Sequence, residues 1–180
     1  MSFKKYLKDY RVDEYIDEKG RVKSKAVYIA GDYVLSPSIS MGDKRLMLVF
    51  SILSWVALIG ALIPNTLASR LLYVILPFIF SMFPLFLMTG SAISLISEGE
   101  TMTRERAERI SGRLPLSSLF TTILAGAAFL GLIVTAVPKW GAMLSGDLLF
   151  GALSLVIAAA ASFVYSKCRR IKALLSDSSE

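Results

Sequence analysis

Four long stretches of this chain hold no charged residue: 46–63, 71–96, 116–137 and 148–165. A hydrocarbon core about 30 Å thick takes about 20 helical residues to cross. The pattern therefore predicts an all-α membrane protein, a four-transmembrane-helix bundle. The first stretch begins only at Leu46, behind a polar segment, and lacks the short basic leader and small-residue cleavage site of a signal peptide, so it reads as a retained span. The second is the longest, and its 26 residues would run to about 39 Å as a straight helix, which demands tilt, kinking or protrusion.

The polar segments between these stretches carry patterns of their own. Val12, Glu14 and Ile16 alternate with Asp13, Tyr15 and Asp17; Gly20 closes a turn-rich group, and a second β-rich run follows from Arg21 to Ala30. This predicts a small N-terminal β-hairpin, with residues 33–35 as a third strand. A lone hairpin is marginal in water, so it needs the membrane face, the middle loop or a second copy to lean on. Tyr10, Tyr15, Tyr28 and Tyr33 suit such a half-buried setting. Between the second and third stretches, Glu105 and Arg109 stand four apart in the favourable order, while Met102, Ile110 and Leu114 share a stripe. A short amphipathic helix lying at the cytoplasmic interface is expected there. The chain thus divides into an N-terminal hairpin segment and linker (1–45), a transmembrane domain (46–165) and a tail (166–180).

Charge sets the expected orientation. Eighteen of the twenty Lys and Arg residues lie before the first stretch, between the second and third, or after the fourth. The positive-inside rule then places both termini and the middle loop in the cytoplasm. The net charge of +6 is accounted for by topology, and no nucleic-acid partner is inferred from it. Lys44, Arg45, Arg169 and Arg170 read as interface anchors on the cytoplasmic side, and Trp140, beside Lys139, as one on the outer side.

Inside the stretches, small residues and prolines are the informative ones. Ala127, Gly131 and Thr135 repeat every four residues in the third, and Ser154, Ala158 and Ser162 do so in the fourth. Lipid offers no hydrophobic drive for helices to associate, so these faces are expected to pack on each other through close backbone approach. Pro77 and Pro84 in the second stretch each free a carbonyl one turn earlier, that of Tyr73 and that of Phe80. Kinks there would open a pocket lined by Phe78, Phe80, Phe83 and Phe86. Trp55, in mid-span, reads as a space filler between helices. Cys168, between Lys167 and Arg169, has neighbours that would favour a thiolate.

Chemistry is sparse. The chain has no His and one Cys, so the commonest general base is missing, as are the commonest metal ligand and any intrachain disulfide. The serines of the spans have no intramembrane base, and no span carries the ionisable residue that an ion-coupled carrier needs. No catalytic, cofactor or metal site is assigned, and the chain is not expected to be an enzyme. The reading is a small polytopic protein of a bacterial inner membrane. It would be a structural, scaffolding or regulatory subunit that binds the bilayer and a membrane or cytoplasmic protein, or a second copy of itself. The alternative is a small oligomeric transporter or binder of a neutral or lipidic solute.

Overall fold

The computed structural model describes residues 7–16, 22–29, 33–36, 38–64, 66, 70–97, 102–136 and 145–175. A turn of 3₁₀ helix at Leu7–Asp9 leads into β1 (Tyr10–Ile16) and β2 (Val22–Tyr28), then β3 (Tyr33–Ser36). The helices are α1 (Met41–Leu62), α2 (Leu72–Phe80), α3 (Met82–Ser97), α4 (Arg104–Ala136) and α5 (Ser145–Cys168), and β4 (Lys172–Leu175) follows. Among the described residues, four helical stretches are long and apolar enough to cross a membrane, with α2 and α3 together making the second. Each packs on its sequence neighbours, and α5 returns to α1, which closes the bundle.

The bundle is apolar outside and mixed within. Val49, Val56, Ile59, Phe83, Phe86, Leu130 and Val134 point outward and are exposed, whereas Ser51, Ser54, Ser91, Ser118, Thr121 and Ser154 are buried. Most of these hydroxyls close onto their own helix: Ser54 donates to the Phe50 carbonyl at 2.8 Å, Thr121 to Ser117 at 2.9 Å and Ser154 to Phe150 at 2.8 Å. Satisfied in this way, a hydroxyl fits between helices without a water partner. Large side chains fill the remaining space, with Phe78 against Phe150 and Phe50 against Phe163, each pair 4.7 Å apart between ring centroids.

Ser40 caps α1, accepting the Asp43 N–H at 3.1 Å. Such a cap satisfies one of the four N–H groups that a helix start leaves without an intrahelical partner. Asp43 in turn takes Lys167 at 3.0 Å, tying the start of α1 to the end of α5.

Two elements differ from the sequence-based expectation. The charged segment after the second stretch is no separate amphipathic helix, because α4 runs unbroken from Arg104 to Ala136 with Pro115 inside it. Its 33 residues reach about 50 Å, so the charged first third extends beyond the apolar part. Arg104–Glu108 at 3.0 Å and Glu105–Arg109 at 2.6 Å support that extension one turn apart.

The hairpin itself is present, β1 antiparallel to β2 from Tyr10↔Tyr28 to Ile16↔Val22. However, β3 does not join it. It pairs antiparallel with β4 of the tail, from Tyr33↔Leu175 to Ser36↔Lys172. The expected turn at Asp17 to Gly20 lies outside the described residues, as does Trp140.

Candidate functional site

The segments before α1, after α5 and between α3 and α4 meet at one end of the bundle, and most of the cross-element polar contacts gather there. Tyr33 and Met102 exchange two backbone hydrogen bonds, at 2.9 and 3.0 Å, which stitches the β3–β4 sheet to the start of α4. The Tyr28 hydroxyl accepts the Arg104 backbone N–H at 2.9 Å, using one of the donors a helix start leaves over. Tyr10 packs edge-on against Tyr28 at 5.3 Å. Partial burial pushes the Tyr28 phenol above its ordinary pKa and the Asp9 charge adds to this, while the Arg104 N–H opposes it.

Asp9 is buried beneath the hairpin. Its backbone carbonyl accepts from Ile29 at 2.9 Å, and one carboxylate oxygen stands 3.8 Å from the Arg104 guanidinium. The other oxygen has no hydrogen-bond partner among the described residues. The hairpin is therefore fastened at its base, through Asp9 and Tyr28. Its far part is open, with Val12 65% and Val22 68% exposed.

Of the residues read as packing stripes, Ser154 is buried, Ala158 is half-buried against the core and Ser162 is exposed; Ala127 is exposed, with Gly131 and Thr135 half-buried. The two stripes do not face each other. A Cβ on Gly131 would stand 3.2 Å from Val74 of α2, and Thr135 shares a 2.6 Å hydrogen bond with Tyr73 of α2. Residues four apart drift about 40° around a helix at each step, so a four-residue repeat leaves its interface within two turns. The buried line of α4 instead holds Ala125, Ala128 and Leu132, and that of α5 holds Ser154, Ile157 and Ala161.

Gly151 of α5 packs tightly against α4, where a Cβ would stand 2.8 Å from the Leu132 Cδ2. Gly151 lies three residues before Ser154, and that spacing was the signal for it. Trp55 does more than fill space, since its Nε1 donates to Thr89 at 3.0 Å and so links α1 to α3.

The two prolines act differently. Pro77 lies within α2 and does not break it. Pro84 is the third residue of α3, a position that tolerates proline, and lacks the N–H that would have reached Phe80, the last residue of α2. The interruption between α2 and α3 is the single residue Ser81, which stays helical: its N–H donates to the Pro77 carbonyl at 3.1 Å, its carbonyl accepts from Leu85 at 3.0 Å, and its hydroxyl donates to the Phe78 carbonyl at 2.6 Å.

Beside this junction a cavity of about 680 Å³ opens on the outer surface, with Phe80, Phe83 and Pro84 on one wall and Arg113, Phe120 and Leu124 of α4 on the other. Pro77 does not line it, Phe78 is turned inward onto Phe150, and Phe86 faces outward.

Lys44 is half-buried and Arg45, Arg169 and Arg170 are exposed, all at the strand-bearing end. Cys168 is fully buried with its Sγ 3.5 Å from the Met47 Sδ, which corrects the expectation of a thiolate beside basic residues: its flanking charges point away. Asp147, the residue just before the fourth uncharged stretch, sits in the first turn of α5 and is 1% exposed. Among the described residues no group of three or more His, Cys, Asp or Glu side chains could hold a metal ion. Comparison with protein-family models, with curated proteins and with solved structures finds no match to this chain.

Proposed function

We propose that this chain is a four-span integral membrane protein of a bacterial inner membrane, with both termini in the cytoplasm. In this reading it is a non-catalytic structural, scaffolding or regulatory subunit that binds a cytoplasmic protein through its hairpin. The observation that carries it is the contrast within the hairpin: a base fastened by Asp9 and Tyr28 to Arg104, and a far part that leaves Val12 and Val22 open.

The pairing places Tyr10, Val12, Ala26 and Val22 on one face. An anchored β-face with exposed apolar residues and tyrosines suits protein binding, because it presents contact area without the entropy cost of first ordering a loose tail. The orientation rests on the basic asymmetry of the loops.

The test is the double substitution Val12→Lys and Val22→Lys in the full chain, extracted in mild detergent. The protein that co-purifies stoichiometrically with the wild type should be lost, and the unfolding midpoint of the bundle should stay unchanged. Retention of that protein by the variant contradicts the hairpin as its docking face.

A further inference from the structure

We propose that the groove between the α2–α3 junction and α4 holds one acyl chain of an anionic phospholipid from the cytoplasmic leaflet, with its headgroup at Arg113. The proposal goes beyond the subunit function above and rests on its membrane-spanning part and its orientation.

Shape is the first argument. The cavity measures about 680 Å³, within the range of about 300–1,000 Å³ typical of small-molecule sites. Its wall is apolar, and the Ser117 hydroxyl, which could have broken that, donates to its own helix at the Leu114 carbonyl at 3.1 Å. Its outer rim, Phe80, Phe83 and Phe120, is exposed, so the groove opens sideways from the bundle where a bilayer chain can enter without crossing a polar gate.

Length is the second. From Arg113 to Leu124 the α4 wall advances 11 residues, about 16 Å. That is half of a hydrocarbon core of about 30 Å, the depth of one leaflet.

Charge is the third. Arg113 is the last charged residue of α4, and residues 114–136 carry none. It therefore stands where the helix passes from headgroup to hydrocarbon, and it borders the groove. In the turns before it Arg104 pairs with Glu108 and Arg109 with Glu105, and Glu98 and Glu100 precede them, so the positive field that an arriving headgroup meets at the groove is that of Arg113 itself. A phosphate diester with no compensating cation matches that field, whereas a zwitterionic headgroup matches it less well.

The experiment places the full chain in nanodiscs of equimolar phosphatidylglycerol and phosphatidylcholine, then releases it into detergent and counts the lipids it retains by native mass spectrometry. Co-elution with the discs reads insertion separately. The wild type should keep one phospholipid, with phosphatidylglycerol enriched about fivefold, which corresponds to about 1 kcal/mol for one basic residue near the surface.

Arg113→Gln should keep a lipid but lose the preference. Leu87→Trp, which fills the groove, should lose lipid of either kind while Arg113→Gln serves as the arm that does not threaten the fold. Equal retention of the two lipids by the wild type overturns the proposal. So does an unchanged preference in Arg113→Gln, retained lipid in a folded Leu87→Trp, or a dimer that forms through the groove in place of bound lipid.

Discussion

The bundle and the strand-bearing end are put together by different physics. Between the helices, small residues and self-bonded hydroxyls pack together with large side chains such as Phe78, Phe150, Leu85 and Met88, while other large apolar side chains, among them Val49, Phe83 and Val134, are turned outward. Around Arg104 the pattern is that of a water-soluble fold. Charges pair across elements, Asp9 with Arg104 and Asp43 with Lys167, and strands close their backbone bonds on each other.

The difference follows from the solvent each region is suited to. In hydrocarbon an apolar side chain gains nothing by turning inward, so close packing decides which faces meet. In water, burial and paired polar groups decide.

That comparison predicts a ranking of mutational effects. The largest should come from Gly151→Leu. The Cβ alone would approach the tip of the Leu132 side chain to 2.8 Å and the Phe129 ring to 3.8 Å, so the rest of a leucine must displace both side chains of α4. We expect a loss of about 3 kcal/mol, at the upper end of overpacking, read as a fall in the unfolding midpoint in detergent. Phe83→Leu, on the outward face, should leave that midpoint unchanged, and equal effects of the two would remove the contrast between inner and outer faces.

Next comes Tyr28→Phe, which removes the acceptor of the Arg104 N–H and should loosen the hairpin by about 1 kcal/mol. Hydrogen exchange should rise in β1 and β2 while the helices stay protected. Exchange that rises equally in α4 and α5 would mean that the two regions unfold as one.

The smallest effect should come from Trp55→Phe. It removes the bond to Thr89 but leaves that hydroxyl donating to Leu85 at 2.9 Å, so about 0.6 kcal/mol is expected, the average for a hydrogen bond between membrane helices. A loss several times larger would show that polar bonds, and not packing, hold α1 to α3.

The two regions also differed in how much of them could be read from the chain. The helical stretches announce themselves because about 20 uncharged residues in a row have few other uses. Their ends were harder to place, and charge was the reason: Asp147 cut the fourth stretch short although the helix continues past it to Ser145. Pro115 and the charges before it separated a short helix from the third stretch, yet α4 accommodates that proline and continues.

The hairpin was visible from alternation over neighbouring residues. The pairing of β3 with β4 joins residues at opposite ends of the chain, and no local pattern in Lys172 to Leu175 names its partner. The cavity expected beside both prolines lies beside Pro84 alone. What a proline does to a helix depends on its position from the helix start, and that is known only once the start is placed. Gly151 lies off the four-residue stripe because close contact follows the 3.6-residue turn.

The central claim, four spans with the strand-bearing end in the cytoplasm, is tested most directly by labelling single cysteines with a membrane-impermeant maleimide in intact cells, on a Cys168→Ala background. Arg70→Cys and Arg106→Cys are the two reporters, because both side chains are exposed and they lie at opposite ends of the bundle. The account predicts that position 70 labels in intact cells and that position 106 labels only after lysis. Labelling of position 106 from outside, with position 70 protected, would contradict it.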